Sequence, residues 1–487
     1  MLTSSITPES ISLNITITNQ KRRLTQRVVI AHIILASVFV VSVRTGLMAE
    51  LLAIKKQLAA KTARVMALEA EVTDMEEQIA ALEAAVAEQD ERAPTTFRYN
   101  ANLQAWCDAG EEDPLEPMLA IVDPHHHLWP SASKQMASGQ TLPAALANCF
   151  GERHAIGPFY YDDFDKDARR NNVVASVFVE CGAFYSRADA AKDPSTAHML
   201  PVRETTGVAA VADKATRPMR IVGHVDLRAG AEVARRVLEA HLAAGKGADG
   251  RQHFVGIRHV LAWDASDDIY SAKARGQKQG ASRDPAFREA LAVLGEMGLT
   301  FDTWCFFTNI PEVAELARAV PSVTIVLDHI GFPLGVGPYR RDPSQNGSTP
   351  GGDGGPTQTT MAAWKASMAD LATCPNVVVK LSGLTMPIAG FGWERGDRPP
   401  SSAELAAAMA PYYEYVIKAF GVGRCMFASN FPPDRASGSY TTLWNAFKRI
   451  ARNLDGGKGV LPEAMAALFH DTAARVYRIG GEGGAKL

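Results

Sequence analysis

Three things are scarce in this 487-residue chain. Six cysteines (Cys107, Cys149, Cys181, Cys305, Cys374, Cys425) are scattered with no C-x-x-C pair, which argues against a zinc ribbon or finger and against a disulfide scaffold. Cys181, Cys305 and Cys425 sit in or beside apolar runs and read as buried thiols. An excess of one charge sign is also lacking: 50 Lys and Arg against 53 Asp and Glu give a formal net charge of −3, and no basic stripe crosses the main body, so no nucleic-acid partner is expected. No G-x-G-x-x-G follows an apolar run, which weakens a dinucleotide site, and there is no internal repeat. The chain is 47% hydrophobic and 21% charged, ordinary globular usage with material for a large core.

The first hundred residues have their own character. Residues 1–27 form a polar leader with nine Ser or Thr, one acid (Glu9) and a basic cluster at Lys21, Arg22, Arg23 and Arg27. Val28 to Val43 is a 16-residue apolar run, short of the roughly 20 residues a bilayer asks of a helix. Including Arg44 to Met48 makes a span over 28–48 feasible, and the preceding basic cluster favours a single-pass signal-anchor with a cytosolic N-terminus. A cleaved or organelle-targeting leader is the competing reading. Over 49–92 a heptad follows, with Leu51, Leu58, Val65, Val72, Ile79 and Val86 on one seam and Ile54, Leu68, Met75 and Leu82 on the other. That pattern predicts a parallel coiled coil and hence a homodimer. Residues 93–117, opening on Ala93-Pro94, read as linker.

From 118 to 480 short β-branched runs alternate with helical stretches. Strands are expected at 119–123, 173–180, 220–226, 254–259, 299–305, 323–328, 376–382 and 424–429. Helices are expected near 164–171, 205–215, 230–244, 284–297, 310–320, 361–373, 402–420 and 462–478. Strands apolar over most of their length are buried on both faces, as in a parallel sheet. Eight such units predict an α/β fold, a (β/α)8 barrel preceded by a hydrophobic helix and a coiled-coil helix. Extra length falls in loops 128–162 and 330–360, the second carrying a Gly-rich run from Asn346 to Pro356.

Chemistry on this fold sits at the carboxyl ends of the strands. Those ends read His125 and His127, Glu180, His224 with Asp226, Arg258 with His259, Asp302 with Trp304, Asp328 with His329, Lys380 with Ser382, then Ser429, Asn430 and Asp434. Ionisable groups at every strand end are costly filler. His125 and His127, two apart on an extended backbone, face the same way. Glu180, His224, Asp226 and His259 are as readily satisfied structural residues. Arg258 suits bidentate recognition of an anion or an internal salt bridge, while Lys380 binds an anion or snorkels.

Five runs in order, DPHHHLW (123–129), FVGIRH (254–259), IVLDHIGFPLG (325–335), VVVKLSG (377–383) and MFASNFPPD (426–434), resemble the amidohydrolase-related family of barrel hydrolases. The likeness is to the branch of sugar-lactone and pyrone-dicarboxylate lactonases, with metal-dependent decarboxylases as distant relatives. It spans roughly 118–478. The resemblance implies that His125, His127 and His329 hold one divalent ion, usually zinc, that activates water. It places Asn430 where the family carries an aspartate, and an amide is a poor base and a weak ligand. Two mechanisms stay open: one zinc on the three histidines, or a metal-free site in which they polarise the carbonyl while Asp434 or Glu180 activates water. The expected substrate is a small anionic or sugar-derived lactone, contacted by Arg258, Lys380, Glu180 and Trp304. A metal-dependent decarboxylase and an inactive ligand-binding barrel on a stalk are the alternatives.

Overall fold

A computed structural model of the chain describes residues 52–64, 66, 101–129, 144–150, 158–185, 196–341, 355–454 and 461–480. The chain divides into two units, Met1–Pro94 and Thr95–Leu487. In the first, residues 52–64 and Met66 are helical, with Leu52, Ile54 and Met66 exposed; the rest of the predicted coiled coil lies outside the described residues, and its pairing into a dimer gains no support.

The expected membrane-anchored or organelle-directed localisation is corrected. Among the described residues no helix is long and apolar enough to cross a membrane. The longest helix with defined bounds, Ser402–Phe420 (19 residues), carries Glu404, Glu414 and Lys418, charges that a hydrocarbon core does not accept. The segment 28–48 itself lies outside the described residues.

The second unit is an eight-stranded parallel barrel in the order β1 to β8. Its strands are β1 Ile121–His126, β2 Val173–Val179, β3 Met219–Gly223, β4 Phe254–Arg258, β5 Thr300–Trp304, β6 Ile325–Asp328, β7 Val377–Leu381 and β8 Cys425–Phe427. All eight fall where the β-branched runs predict them. Closure between β8 and β1 is made beyond the end of β8, where Asn430 N donates to His125 O (2.8 Å) and His127 N to Phe431 O (2.8 Å).

The helices are α1 Ala101–Ala109, α2 Ala144–Phe150, α3 Tyr161–Arg170, α4 Leu200–Lys214, α5 Ala231–Ala244, α6 Pro285–Glu296, α7 Ile310–Ala319, α8 Gln358–Ala372, α9 Ser402–Phe420, α10 Tyr440–Asn453, α11 Pro462–Ala466 and α12 Thr472–Val476. Local chemistry sets several starts. Asp284 caps α6 through Ala286 N (2.9 Å) with Pro285 in the first turn, and Ser401 with Glu404 forms a reciprocal cap on α9.

Two elements differ from expectation. The predicted linker 93–117 contains α1, whose Leu103 and Cys107 are buried, and Trp106 Nε1 donates to Gly396 O (3.2 Å). Nothing is predicted between 429 and 462, yet α10 lies there. Its polar positions are buried: Asn445 donates to Asp113 O (2.9 Å) and Lys448 Nζ to Leu115 O (2.6 Å). Segment 112–116 and α10 complete one another, so neither reads as core alone.

Two cores result. Between strands and helices lies the larger, including Phe178, Phe287, Phe301, Trp364, Tyr413 and Trp444. Inside the barrel lies a valine layer of Val122, Val177, Val222, Val255, Val326 and Val378, packed against Tyr477 from beyond α12. Tyr477 runs up the interior and donates to Asp302 Oδ2 (2.6 Å), where the polar site begins.

Candidate active site

Above the valine layer the strand ends deliver a buried cluster of imidazoles, carboxylates and two cations. Period two aims His125 and His127 inward together, and their Nε2 atoms stand 3.3 Å apart. His127 Nδ1 donates to the Val179 carbonyl (2.7 Å), so its Nε2 keeps a lone pair towards the site. The His329 ring lies 4.7 Å from that of His125, and its Nδ1 meets Ser382 Oγ (2.8 Å). Burial drives all three imidazoles neutral: His127 and His329 fall to about 3, and His125 well below its ordinary value, with Lys380 adding to the effect.

His329 is placed by backbone strain. It and Ile330 have φ of 55° and 54°, in the left-handed region that a β-branched residue rarely enters. Trp364 Nε1 clamps the turn through Ile330 O (2.7 Å). Gly383 lies beneath it, where an added Cβ would come within 2.7 Å of His329 Cβ.

Lys380 does not snorkel; it is wholly buried, within reach of Asp302 Oδ2 (2.6 Å), Asp328 Oδ1 (3.0 Å) and His125 Nδ1 (3.2 Å). Arg258 Nε donates to Glu180 Oε1 (2.9 Å), and its Nη1 lies 3.8 Å from Asp328 Oδ2. Burial opposes charge on Asp328, but Lys380 and then His125 outweigh it and hold that carboxyl well below the usual range. Burial raises Asp302 to about 6 despite Lys380. Trp304 packs edge-on to His329, and its Nε1 is buried without a hydrogen-bond partner among the described residues.

Asp434 stands one step back from the histidines. Its Oδ1 accepts from Thr385 N (3.1 Å) and Thr385 Oγ1, and its Oδ2 from Asn430 Nδ2. Burial lifts its carboxyl to about 7. Asn430 adopts φ 52°, a conformation that Asn tolerates better than most residues. The bland readings hold for three others: His224 bonds Arg258 O (2.9 Å), His259 bonds Gln277 (2.9 Å), and Asp226 pairs with Arg228 (2.7 Å).

One set of donors could hold an ion. Ligand atoms of His125, Asp328 and His329 all lie within 4.8 Å of one another. Both imidazoles are neutral, and the Asp328 oxygens face Lys380 and Arg258 but make no hydrogen bond of full geometry among the described residues, so the donor set fits a single divalent ion. Asp328 joins His125 and His329 in this set, while His127, also expected as a ligand, stands with its Nε2 3.3 Å from that of His125. The signal for Asp328 was present, an acid directly before His329 at a strand end. Tyr477 gave none, since no motif links it to Asp302.

The family profile described as "Amidohydrolase" matches residues 122–479. This chain belongs to the amidohydrolase family. It is a hydrolase with the barrel of that family. "Uncharacterized protein y4mH" of Sinorhizobium fredii is 32% identical, over 74% of this chain and 99% of the relative. The L-fucono-1,5-lactonase of Burkholderia ambifaria is 25% identical, over 74% of this chain and 97% of its own. A crystal structure of an amidohydrolase from Burkholderia multivorans with bound HEPES shares the fold at 23% identity and a TM-score of 0.51, covering 74% of this chain and 99% of its own.

Proposed function

We propose that this amidohydrolase opens a small carboxylated or sugar-derived lactone by attack of water on the ring carbonyl. The observation that carries the reading is the meeting of three neutral histidines, His125, His127 and His329, beside Arg258 at the barrel mouth. Relatives named L-fucono-1,5-lactonase, at 25% and 27% identity, support the substrate class.

In this mechanism His127 accepts the proton of the attacking water at Nε2, the nitrogen that faces His125, since its Nδ1 is committed to Val179 O, and returns it to the ring oxygen as the carbonyl C–O bond breaks. An ion held by His125, Asp328 and His329, with zinc proposed, would lower the pKa of water and polarise the carbonyl. Trp304 Nε1 donates to the substrate, relieving a buried donor that has no hydrogen-bond partner among the described residues. Arg258, steadied by Glu180, turns its remaining N–H groups to the substrate carboxylate. Lys380 holds Asp302 and Asp328 rather than substrate. Asp434 acts through Asn430, fixing the end of β8, while Asn430 orients the water.

The test is a substrate panel on the full chain purified without chelator. Ring opening of aldonolactones or carboxylated lactones, read by pH indicator, is the expected result. Release of CO2 from a small acid with no lactone turnover would replace this reading by decarboxylation. Tight lactone binding without turnover would leave a ligand-binding barrel.

A further inference from the structure

Each atom by which His125 and Asp328 could hold an ion already faces a cation of the protein. Lys380 Nζ lies 3.2 Å from His125 Nδ1 and 3.0 Å from Asp328 Oδ1. From the other side, Arg258 Nη1 lies 3.5 Å from His125 Nε2 and 3.8 Å from Asp328 Oδ2. Lys380 is fully buried and Arg258 is 8% exposed, so water does little to screen either charge. A divalent ion on His125, Asp328 and His329 must take one atom from each residue. It therefore evicts Lys380 or Arg258 from at least one contact.

We infer that Lys380 and Arg258 are resident competitors for the ion, and that this competition sets the site's divalent-cation affinity. Each cation has a second anchor that survives the exchange. Lys380 stays on Asp302 Oδ2 (2.6 Å) and Arg258 on Glu180 Oε1 (2.9 Å), so neither is left unpaired when the ion enters. When the ion leaves, the same cations return to Asp328 and keep a buried carboxylate neutralised. The site thus has two charge-satisfied states, and passage between them needs only short movements of two side-chain ends. This holds whatever the substrate is.

Equilibrium dialysis of the full chain against Co2+ at fixed pH tests it without reference to turnover. Two double variants each remove one charge of either sign, so net charge is unchanged: Lys380→Met with Asp302→Asn, and Arg258→Met with Glu180→Gln. Each is expected to bind one Co2+ at least tenfold more tightly than wild type, and adding Asp328→Asn should abolish the gain. Equal or weaker binding in the folded double variants overturns the inference. So does a gain that survives Asp328→Asn, because the ion then sits elsewhere. Circular dichroism identifies folded protein. If the Lys380 pair fails to fold, the Arg258 pair, at the more open edge of the cluster, decides alone.

Discussion

The backbone N–H of Asn430 donates to the carbonyl of His125 across 2.8 Å, and this contact joins the last strand's exit to the first. The Asn430 amide then reaches Asp434. An aspartate at 430 would set two buried carboxylates side by side, and one of them would have to stay protonated. Asn430→Asp should therefore cost about 2–4 kcal/mol of stability at pH 8 and distinctly less at pH 5, where the pair shares a proton. Denaturant unfolding at both pH values checks this, and an equal loss at the two would refute the side-by-side arrangement.

Asp434 makes a second pH prediction. Its folded value of about 7 lies above that of a free aspartate, so the folded state binds more protons between the two. Stability contributed here is present at low pH and is lost as pH rises from about 4 to about 7. Glu204, also raised to about 7 by burial and the nearby Glu180, adds a slope of the same sign. Asp434→Asn should flatten the stability profile across that window, by up to about 4 kcal/mol for a shift of this size. Thermal melts at half-unit pH steps provide the measurement.

Separating chemistry from backbone strain at position 329 calls for a residue that accepts a positive φ. Asn does, so His329→Asn should stay folded, at a cost of about 1–3 kcal/mol for the lost ring packing and Ser382 contact. Its kcat on the lactone should nonetheless fall by about 100-fold or more. A variant that keeps its kcat would remove His329 from the mechanism.

Gly383→Ala makes the opposite prediction. With φ of 83° and an incoming Cβ within 2.7 Å of His329 Cβ, alanine pays both a backbone and a packing penalty. A loss of about 2–4 kcal/mol is expected, together with a lower kcat from a displaced His329. An unchanged melt would mean that the β6–β7 seam yields more readily than its packing implies.

The barrel was legible because parallel strands buried on both faces must be apolar, and runs such as Val377 to Val379 show it plainly. The histidine cluster was legible for a related reason, since His125 and His127 sit where a buried strand ends and two charged or polar groups there need a purpose. What escaped depends on partners distant in sequence. Asn445 and Lys448 look like surface residues until segment 112–116 covers them. The counter-charges of Lys380, Asp302 and Asp328, lie 78 and 52 positions back along the chain.

Tyr477 carries a consequence for how the enzyme is made. Asp302 leaves the ribosome 175 residues ahead of the phenol that will bond it. Throughout that interval the carboxylate at the centre of the barrel lacks one of its partners, and the floor of the valine layer lacks its plug. A nascent chain can therefore lay down strand after strand, but the polar site is finished only when the turn after α12 folds back beneath it. Synthesis interrupted before Tyr477 should yield a barrel whose Asp302 lacks the phenol and whose valine layer lacks its plug.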